Sequence, residues 1–305
     1  MLLGLDFGGT KLAAGLVQHD GRIIAGRRSA TPAGGAAASL ATMLAMAHDL
    51  ITAHGPVEGV GVSFGGPVEA DGRTVRLSMH VAGWDNAPLA QQLEEALGVP
   101  AAIANDGDAA ALAEYRFGAG RGVQHLLYLT LSTGIGGGII IGGRLHRGEH
   151  AWAGEVGHMV LQPHGPPCPC GRNGCLESLA SGLSIARDAR LRLADPATPS
   201  STLHAQPSHA LTAQAVAAAA AAGDRLAHEI WQHAMEWIGI GIASAANLLN
   251  PGRVVVGGGL TRAGARLLAP VREAAARRAL DPALAIMPAA LGDDVGILGG
   301  AALLL

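Results

Sequence analysis

The chain is sparing with sulfur. It has three cysteines in 305 residues, and all of them lie between Cys168 and Cys175, in the stretch CPCGRNGC. An odd number at such close spacing argues against a disulfide framework and for a metal. Runs of Lys or Arg are missing as well, and the formal charge is −3, so nothing supports a nucleic-acid partner. No secretory leader is visible, because Met1 runs straight into Leu2-Leu3-Gly4-Leu5-Asp6, a strand and a turn. Long apolar spans are lacking too. The uncharged stretch 237–252 is short and follows Arg225, Glu229 and Glu236 on a helical pattern, which suits a buried helix. The stretch 123–143 is interrupted by glycines and suits loops between strands. The 45 glycines have no collagen period. Together these absences lead us to expect a soluble, cytoplasmic protein with no membrane partner.

The length suffices for two domains and a substantial core. Leu2 onward reads as a strand, a Gly-rich turn and a second strand, with 23–25 extending the sheet. Helical spacing of Leu40, Leu44, Ala47, Leu50 and Ile51 predicts a helix over 35–54. A buried strand is expected at 57–62, a helix at 88–97, a strand at 99–104 and a helix through 109–115. The stretch LLYLTLSTGIGGGIIIGGRL (126–145) repeats the opening strand–turn–strand pattern coarsely. A Pro-, Ser-, Thr- and His-rich loop spans 195–211. Helices are expected at 212–222 and 224–249, with Asp224 as an N-cap. A strand at 254–256, a glycine turn, a helix over 263–279 and an apolar tail helix over 295–305 complete the chain. Strands alternating with helices give an α/β architecture.

Several short motifs have the composition of ligand-binding turns. In Asp6-Phe7-Gly8-Gly9-Thr10-Lys11, the glycines let the backbone approach a ligand, Thr10 adds a hydroxyl and Lys11 a cation. Asp6 suits a magnesium water shell. The spacing is not that of a P-loop, and a plain hairpin turn would use the same glycines. Ser132-Thr133-Gly134-Ile135-Gly136-Gly137-Gly138 offers a second such turn, and two in equivalent places suit a polyphosphate held from both sides. Gly257-Gly258-Gly259 would let a flat base approach the backbone, or would simply make a tight strand–helix turn. Asn105-Asp106 closes a strand at the edge where α/β sheets bind ligands. There Asp106 has the chemistry to accept a proton from a substrate hydroxyl, or the pair merely caps the next helix.

Cys168-x-Cys170-x4-Cys175 needs a fourth ligand for a tetrahedral zinc site, and His158 and His164 both qualify. Four protein ligands leave no open position, so such a site is structural. Glu155 and Glu177 flank the loop. With a free nitrogen of His158 they would form a polar patch suited to a polyol, or they are ordinary surface charges.

These residues, in this order over nearly the whole chain, resemble the ROK family (repressors, open reading frames, kinases). The match includes Gly4-Leu5-Asp6-Phe7-Gly8-Gly9-Thr10-Lys11, Gly66-Pro67-Val68, Asn105-Asp106 followed by Ala109-Ala110-Ala111-Leu112-Ala113-Glu114, and the Ser132–Gly138 turn. It also includes Gly154-Glu155-Val156-Gly157-His158, the block from Cys168 to Glu177, and Gly257-Gly258-Gly259. The resemblance implies an actin-like, hexokinase-like (ribonuclease H-like) α/β fold, two-lobed with duplicated units and a cleft between lobes. It implies a smaller lobe of 1–104 plus 294–305 and a larger one of 105–293 carrying the zinc loop. Its implied cofactors are ATP, Mg2+ and a structural Zn2+. It implies that Asp6, Gly8, Gly9, Thr10, Lys11, Thr133 and Gly134 serve the phosphates and that Gly258 and Gly259 face adenosine. Asp106 is then the catalytic base, and Gly66, Asn105, Asp106, Glu155, His158 and Glu177 meet the sugar. The metal ligands become His158, Cys168, Cys170 and Cys175. The last helix is expected to return to the first lobe, and the partners are a hexose, a nucleotide and a second copy in a homodimer or homotetramer.

The chain departs from the family pattern on the sugar side. It reads Asn105-Asp106-Gly107-Asp108 where Asn-Asp-Ala-Asn is frequent, His80-Val81-Ala82-Gly83-Trp84 where an Asn often precedes Gly-Trp, and Phe64-Gly65-Gly66 where Thr/Ser-Pro-Gly is frequent. The leading expectation is an ATP-dependent hexose 6-kinase of glucokinase type. An N-acetylglucosamine or N-acetylmannosamine kinase and a fructokinase are the alternatives. A sugar-responsive repressor would need a helix-turn-helix domain before the first strand, where we expect no room. A catalytically dead sugar-binding module is disfavoured by the joint presence of Asp6, Lys11 and Asp106.

Overall fold

Strand β1 (Leu2–Phe7) turns at Gly8–Thr10 into β2 (Lys11–Val17), and β3 (Ile23–Ala30) follows. Helix α1 (Gly35–His54) leads to β4 (Val60–Phe64), α2 (Leu89–Leu97) to β5 (Ala101–Asn105), and α3 (Asp106–Phe117) comes next. The computed structural model describes residues 1–198 and 200–305. The first sheet has the order β3-β2-β1-β4-β5. β1 pairs antiparallel with β2 and parallel with β4, and β4 pairs parallel with β5. The register sets Asp6 opposite Ser63 and Phe64 opposite Asn105. The carboxyl ends of three parallel strands therefore lie at one edge, where such sheets bind ligands.

The second half of the chain holds β6 (Leu126–Leu131), β7 (Ile135–Ile141), β8 (Arg144–Leu145), α4 (Leu176–Ala180) and α5 (Gly182–Ala194). Then come α6 (Ala213–Ala221), α7 (Arg225–Leu249), β9 (Arg253–Gly257), α8 (Ala265–Ala276), β10 (Ile286–Pro288) and α9 (Val295–Ala302). The second sheet has the order β10-β9-β6-β7-β8.

The chain divides into two compact units, one of Met1–Tyr128, Gly138–Gly154 and Ala289–Leu305, the other of Leu129–Gly137 and Glu155–Pro288. The boundary expected after residue 104 differs from this division, because α3 packs against α9 and both belong to the first unit. Helix α1 has the length and composition of a membrane span, yet its Met43, Ala47 and Leu50 are fully buried in the core over the first sheet. On that same core, Trp84 meets Phe7 and Phe64 edge to face, its ring centroid 5.6 and 5.2 Å from theirs.

Helix α9 seats on the first sheet with almost no side chains between. A Cβ at Gly61 would strike the backbone of Gly300, and one at Gly300 would strike Gly61, so both positions require glycine. Ile297, Leu298 and Ala301 join Leu2, Ala13, Val17 and Ala113 in a small buried cluster. The apolar tail thus finds its packing partner within the first unit.

Element ends differ from the sequence reading for local reasons. β4 runs two residues beyond the expected end because Ser63 and Phe64 pair with β1. α3 begins at Asp106 because the Asn105 side chain accepts hydrogen bonds from the amides of Gly107 and Asp108. Asp224 caps α7 by accepting from the Ala227 amide at 3.0 Å. Helices α4 and α5 and strand β10 were not expected. The loop over 195–211 contains two short 3-10 turns, Thr202–Ala205 and Ser208–Ala210, and its Pro199 lies outside the described residues.

Candidate active site and metal cluster

In the first unit, the Gly-rich turn after β1 is closed by the Gly8 amide donating to the Lys11 carbonyl at 3.0 Å. Thr31 secures it from β3's end, its hydroxyl donating to the Gly8 carbonyl at 2.8 Å. Gly9 lies under His80, and Thr10 is exposed. Beneath the turn, the Asp6 carboxylate accepts from the Ser63 hydroxyl at 3.1 Å and abuts Gly296 in the first turn of α9. Burial pushes the Asp6 carboxyl above its ordinary range, against the pull of Ser63, Lys11 and Arg28.

At the neighbouring strand end, Asn105 is committed as the cap of α3, and its amide nitrogen donates to the Gly66 carbonyl at 3.3 Å. The cap seen as one of two readings is therefore present, and it orients Asp106. Asp106 is exposed while Gly107 and Asp108 beside it are buried. A carboxylate at a helix start is favoured by the positive end of the helix dipole.

In the second unit, the Ser132-Thr133-Gly134 turn is held from outside its own strands. Ser132 and Thr133 carbonyls accept from the Gly182 and Leu183 amides at 2.8 and 3.2 Å, at the start of α5. Glu177 Oε2 accepts from the Ile135 amide at 2.9 Å. A Cβ on Gly134 would sit 2.5 Å from that same oxygen, so the carboxylate occupies the place a side chain would take. The glutamate expected as a sugar ligand is thus also a brace of the turn.

Thr133 and Gly259 line one cavity of about 530 Å³, with Leu183, Trp231, Arg262 and His209 around it. That volume is in the range of small-molecule pockets. The neighbouring Gly258 adopts φ 88° and lies against Leu131. His209 and Leu211, at the end of the 201–211 segment, form part of one wall. Arg190 of α5 fastens it by donating to the Ser208 and Leu211 carbonyls at 2.9 Å each. Asp224 fastens its other end, accepting from the Ser201 hydroxyl and the Thr202 amide and hydroxyl at 2.8, 2.6 and 2.7 Å. Burial raises the Asp224 carboxyl, but these donors and Ala227 outweigh it and hold it at about 2. None of the cavity's Arg, His or Trp residues was singled out from sequence, because their spacing is that of ordinary helix and loop positions.

The ligand atoms of His158, Cys168, Cys170 and Cys175 all lie within 4.8 Å of one another. Among the described residues His164 is not part of this cluster. Cys170 and Cys175 sulfurs are 3.6 Å apart, and Cys168 Sγ is 3.7 Å from His158 Nδ1. A disulfide needs about 2.05 Å, whereas tetrahedral zinc with bonds of about 2.3 Å spreads its sulfurs to about 3.8 Å. The donor set and its spacing fit zinc. Without metal, burial pushes Cys175 up to about 12, while Cys170, helped first by the Arg172 amide, falls to about 6. Metal binding would release those protons. His158 turns its other nitrogen toward Glu155, 3.9 Å away. Although the Glu155 side chain is 42% exposed, desolvation raises its carboxyl, against His158 and with Glu177.

Comparison with known proteins follows the same outline. A glucokinase of Streptomyces coelicolor is 34% identical over 99% of this chain and 96% of its own. An N-acetylmannosamine kinase of Escherichia fergusonii is 40% identical, but over 63% of this chain and 65% of its own. Among solved structures, a ROK hexokinase from Thermus thermophilus superposes with a TM-score of 0.85 at 35% identity, covering 99% of this chain and 96% of that one. A ROK family glucokinase from Streptomyces griseus in complex with glucose and AMPPNP gives 0.83 at 35%, covering 99% and 98%. The two-sheet α/β architecture is that of these kinases, of the actin-like ATPase fold. The ROK family model matches residues 2–305, and on that match and the full-length relatives the chain belongs to the ROK family.

Proposed function

We propose that this chain is an ATP-dependent hexose kinase that transfers the γ-phosphoryl group to the 6-hydroxyl of a hexose, with glucose as its first substrate. The observation that carries the reading is the Streptomyces griseus relative, 35% identical over 99% of this chain, whose structure holds glucose and AMPPNP. The 530 Å³ cavity reached by Thr133 and Gly259 supports it, being of a size for a nucleoside. In this reading Asp106 takes the proton from the attacking hydroxyl, which makes the oxygen a better nucleophile as the phosphorus is transferred. Its exposed carboxylate and capped backbone suit that task. Gly66, Asn105, Glu155, His158 and Glu177 orient the sugar. Asp6, Gly8, Gly9, Thr10, Lys11, Thr133 and Gly134 hold the phosphates, and Gly258 and Gly259 face the base.

Mg2+, when bound with ATP, neutralises phosphate charge, and Asp6 is the residue to hold its water. Zn2+ at His158, Cys168, Cys170 and Cys175 would cross-link the loop and take no part in the chemistry. N-acetylmannosamine is the second candidate acceptor, on the 40% identity with its kinase over 193 residues. We assign the enzyme to the cytoplasm, as a homo-oligomer.

A coupled assay of ATP consumption against glucose, N-acetylmannosamine, N-acetylglucosamine, mannose and fructose tests the reading. Glucose should give the highest kcat/KM, and no turnover with any hexose would end the proposal. Asp106→Asn should lower kcat by about 10³-fold with sugar affinity nearly kept. Unchanged turnover would remove Asp106 from the role of base.

A further inference from the structure

Arg147 follows β8 in the first unit and reaches the start of α3. Its Nε lies 3.6 Å from Asp108 Oδ2. A terminal nitrogen of the same guanidinium donates to the Ile103 carbonyl at 3.2 Å. Both side chains are largely covered, at 24% exposure for Arg147 and 11% for Asp108. Ile103 belongs to β5 and Asp108 to the first turn of α3, so the two contacts stand on either side of Asn105-Asp106. One planar group therefore spans the junction that carries the exposed carboxylate. Side chains two apart on a helix point in different directions. That is why Asp108 turns inward to Arg147 while Asp106 turns out.

We infer that Arg147 is a positioning residue for phosphoryl transfer: by holding Asp108 and the Ile103 carbonyl together it fixes the direction of Asp106. The inference rests on the kinase reading above. The chemistry requires arginine. A covered carboxylate deprived of its cation must bind a proton or draw in water, and either event repacks the first turn of α3. Lysine can supply the charge but not the rigid fork that serves two acceptors at once. Substrate binding through other residues need not change, whereas a shift of about 1 Å in a reacting group costs about 10²-fold in rate.

The test is steady-state kinetics with glucose and ATP-Mg on folded variants. Arg147→Gln should lower kcat by about 10²-fold, with KM for both substrates moving by less than about 3-fold. Asp108→Asn/Arg147→Gln, which removes the charge left behind but still lacks both arms of the clamp, should stay about 10-fold or more below wild type in kcat. Arg147→Lys should fall between. A kcat for Arg147→Gln within about 2-fold of wild type overturns the inference, as does a double variant that regains wild-type kcat with both arms of the clamp gone. If Arg147→Gln does not fold, Arg147→Lys decides: wild-type kcat there excludes the two-armed clamp. Should the wild-type chain phosphorylate no hexose, it is the kinase reading that fails. The clamp is then judged by amide exchange at Gly107 and Asp108, faster in Arg147→Gln if it exists and unchanged if it does not.

Discussion

The two Gly-rich turns look alike in sequence, each a polar turn between apolar strands, and they are supported in opposite ways. The first, Gly8 to Lys11, rests on a buried carboxylate from its own strand, Asp6, and is tied by Thr31 only 23 residues away. The second, Ser132 to Gly134, is held by Glu177, 42 residues on, and by the start of α5. Glu177 stands two residues after Cys175, which takes the N-cap position of α4 and belongs to the candidate zinc cluster. The first turn is thus supported by its own sheet, by His80 and by α9, and the second by the segment that follows the cysteine loop.

The largest effect should come from the first turn. On the proposed function, in which Asp6 serves the magnesium's water shell, Asp6→Asn should cut kcat by about 10²-fold, the scale for losing an outer-shell partner of a metal. It should also raise stability. The folded pKa of Asp6 is raised by burial, so its ionised form costs stability, and this cost grows as pH climbs through that pKa. Asparagine stays neutral, and at pH 7 the melting temperature should rise. A variant both inactive and less stable would contradict the account of Asp6.

An intermediate effect should sharpen the contrast. Cys170→Ser should release the metal, and amide exchange should then speed up by about 10-fold at Ile135 and its neighbours while the Gly8 to Lys11 amides keep their rates. Metal content by mass spectrometry and site-resolved exchange report both. Equal acceleration in the two turns would mean that the cluster does not act through Glu177.

The smallest effect concerns the wall of the cavity beside the second turn. Asp224 is depressed to about 2 in the folded protein, against about 3.9 for a free aspartate. Its contribution is complete above about pH 5 and fades as pH falls through about 2. Limited proteolysis within 201–211 should therefore accelerate between about pH 4 and 2. Asp224→Ala should make the segment sensitive at neutral pH, at a cost of about 1–2 kcal/mol for the lost cap and its donors. A segment equally resistant in both proteins would show that Asp224 does not hold it.

What sequence reveals about this molecule is what short spacing encodes. The turns, the Asn105 and Asp224 caps and the cysteine loop all depend on residues within about one turn or knuckle of each other. The supports do not. Glu177 meets Ile135, Arg147 meets Asp108, and the fully buried Glu114 accepts from the amides of Ala290 and Leu291 176 and 177 residues away. No periodicity links such partners, because their meeting is decided by how sheets and helices stack. Helices α4 and α5 escaped notice for a related reason. Ser181 interrupts them, ending one and capping the next through the Ser184 amide.

The seat of α9 between Gly61 and Gly300 has a consequence for biosynthesis. Strands β1 to β5 emerge from the ribosome well before α9, which begins 190 residues after β5 ends (295 − 105), so they lack one of their covering helices for that stretch of synthesis. At about 5–20 residues per second, that wait lasts on the order of ten seconds or more. During it the glycine-paved face of the nascent sheet, with Leu2, Ala13 and Val17 beside it, is open to chaperones and to misassociation. Helix α9, translated well after the strands it covers, is what closes it.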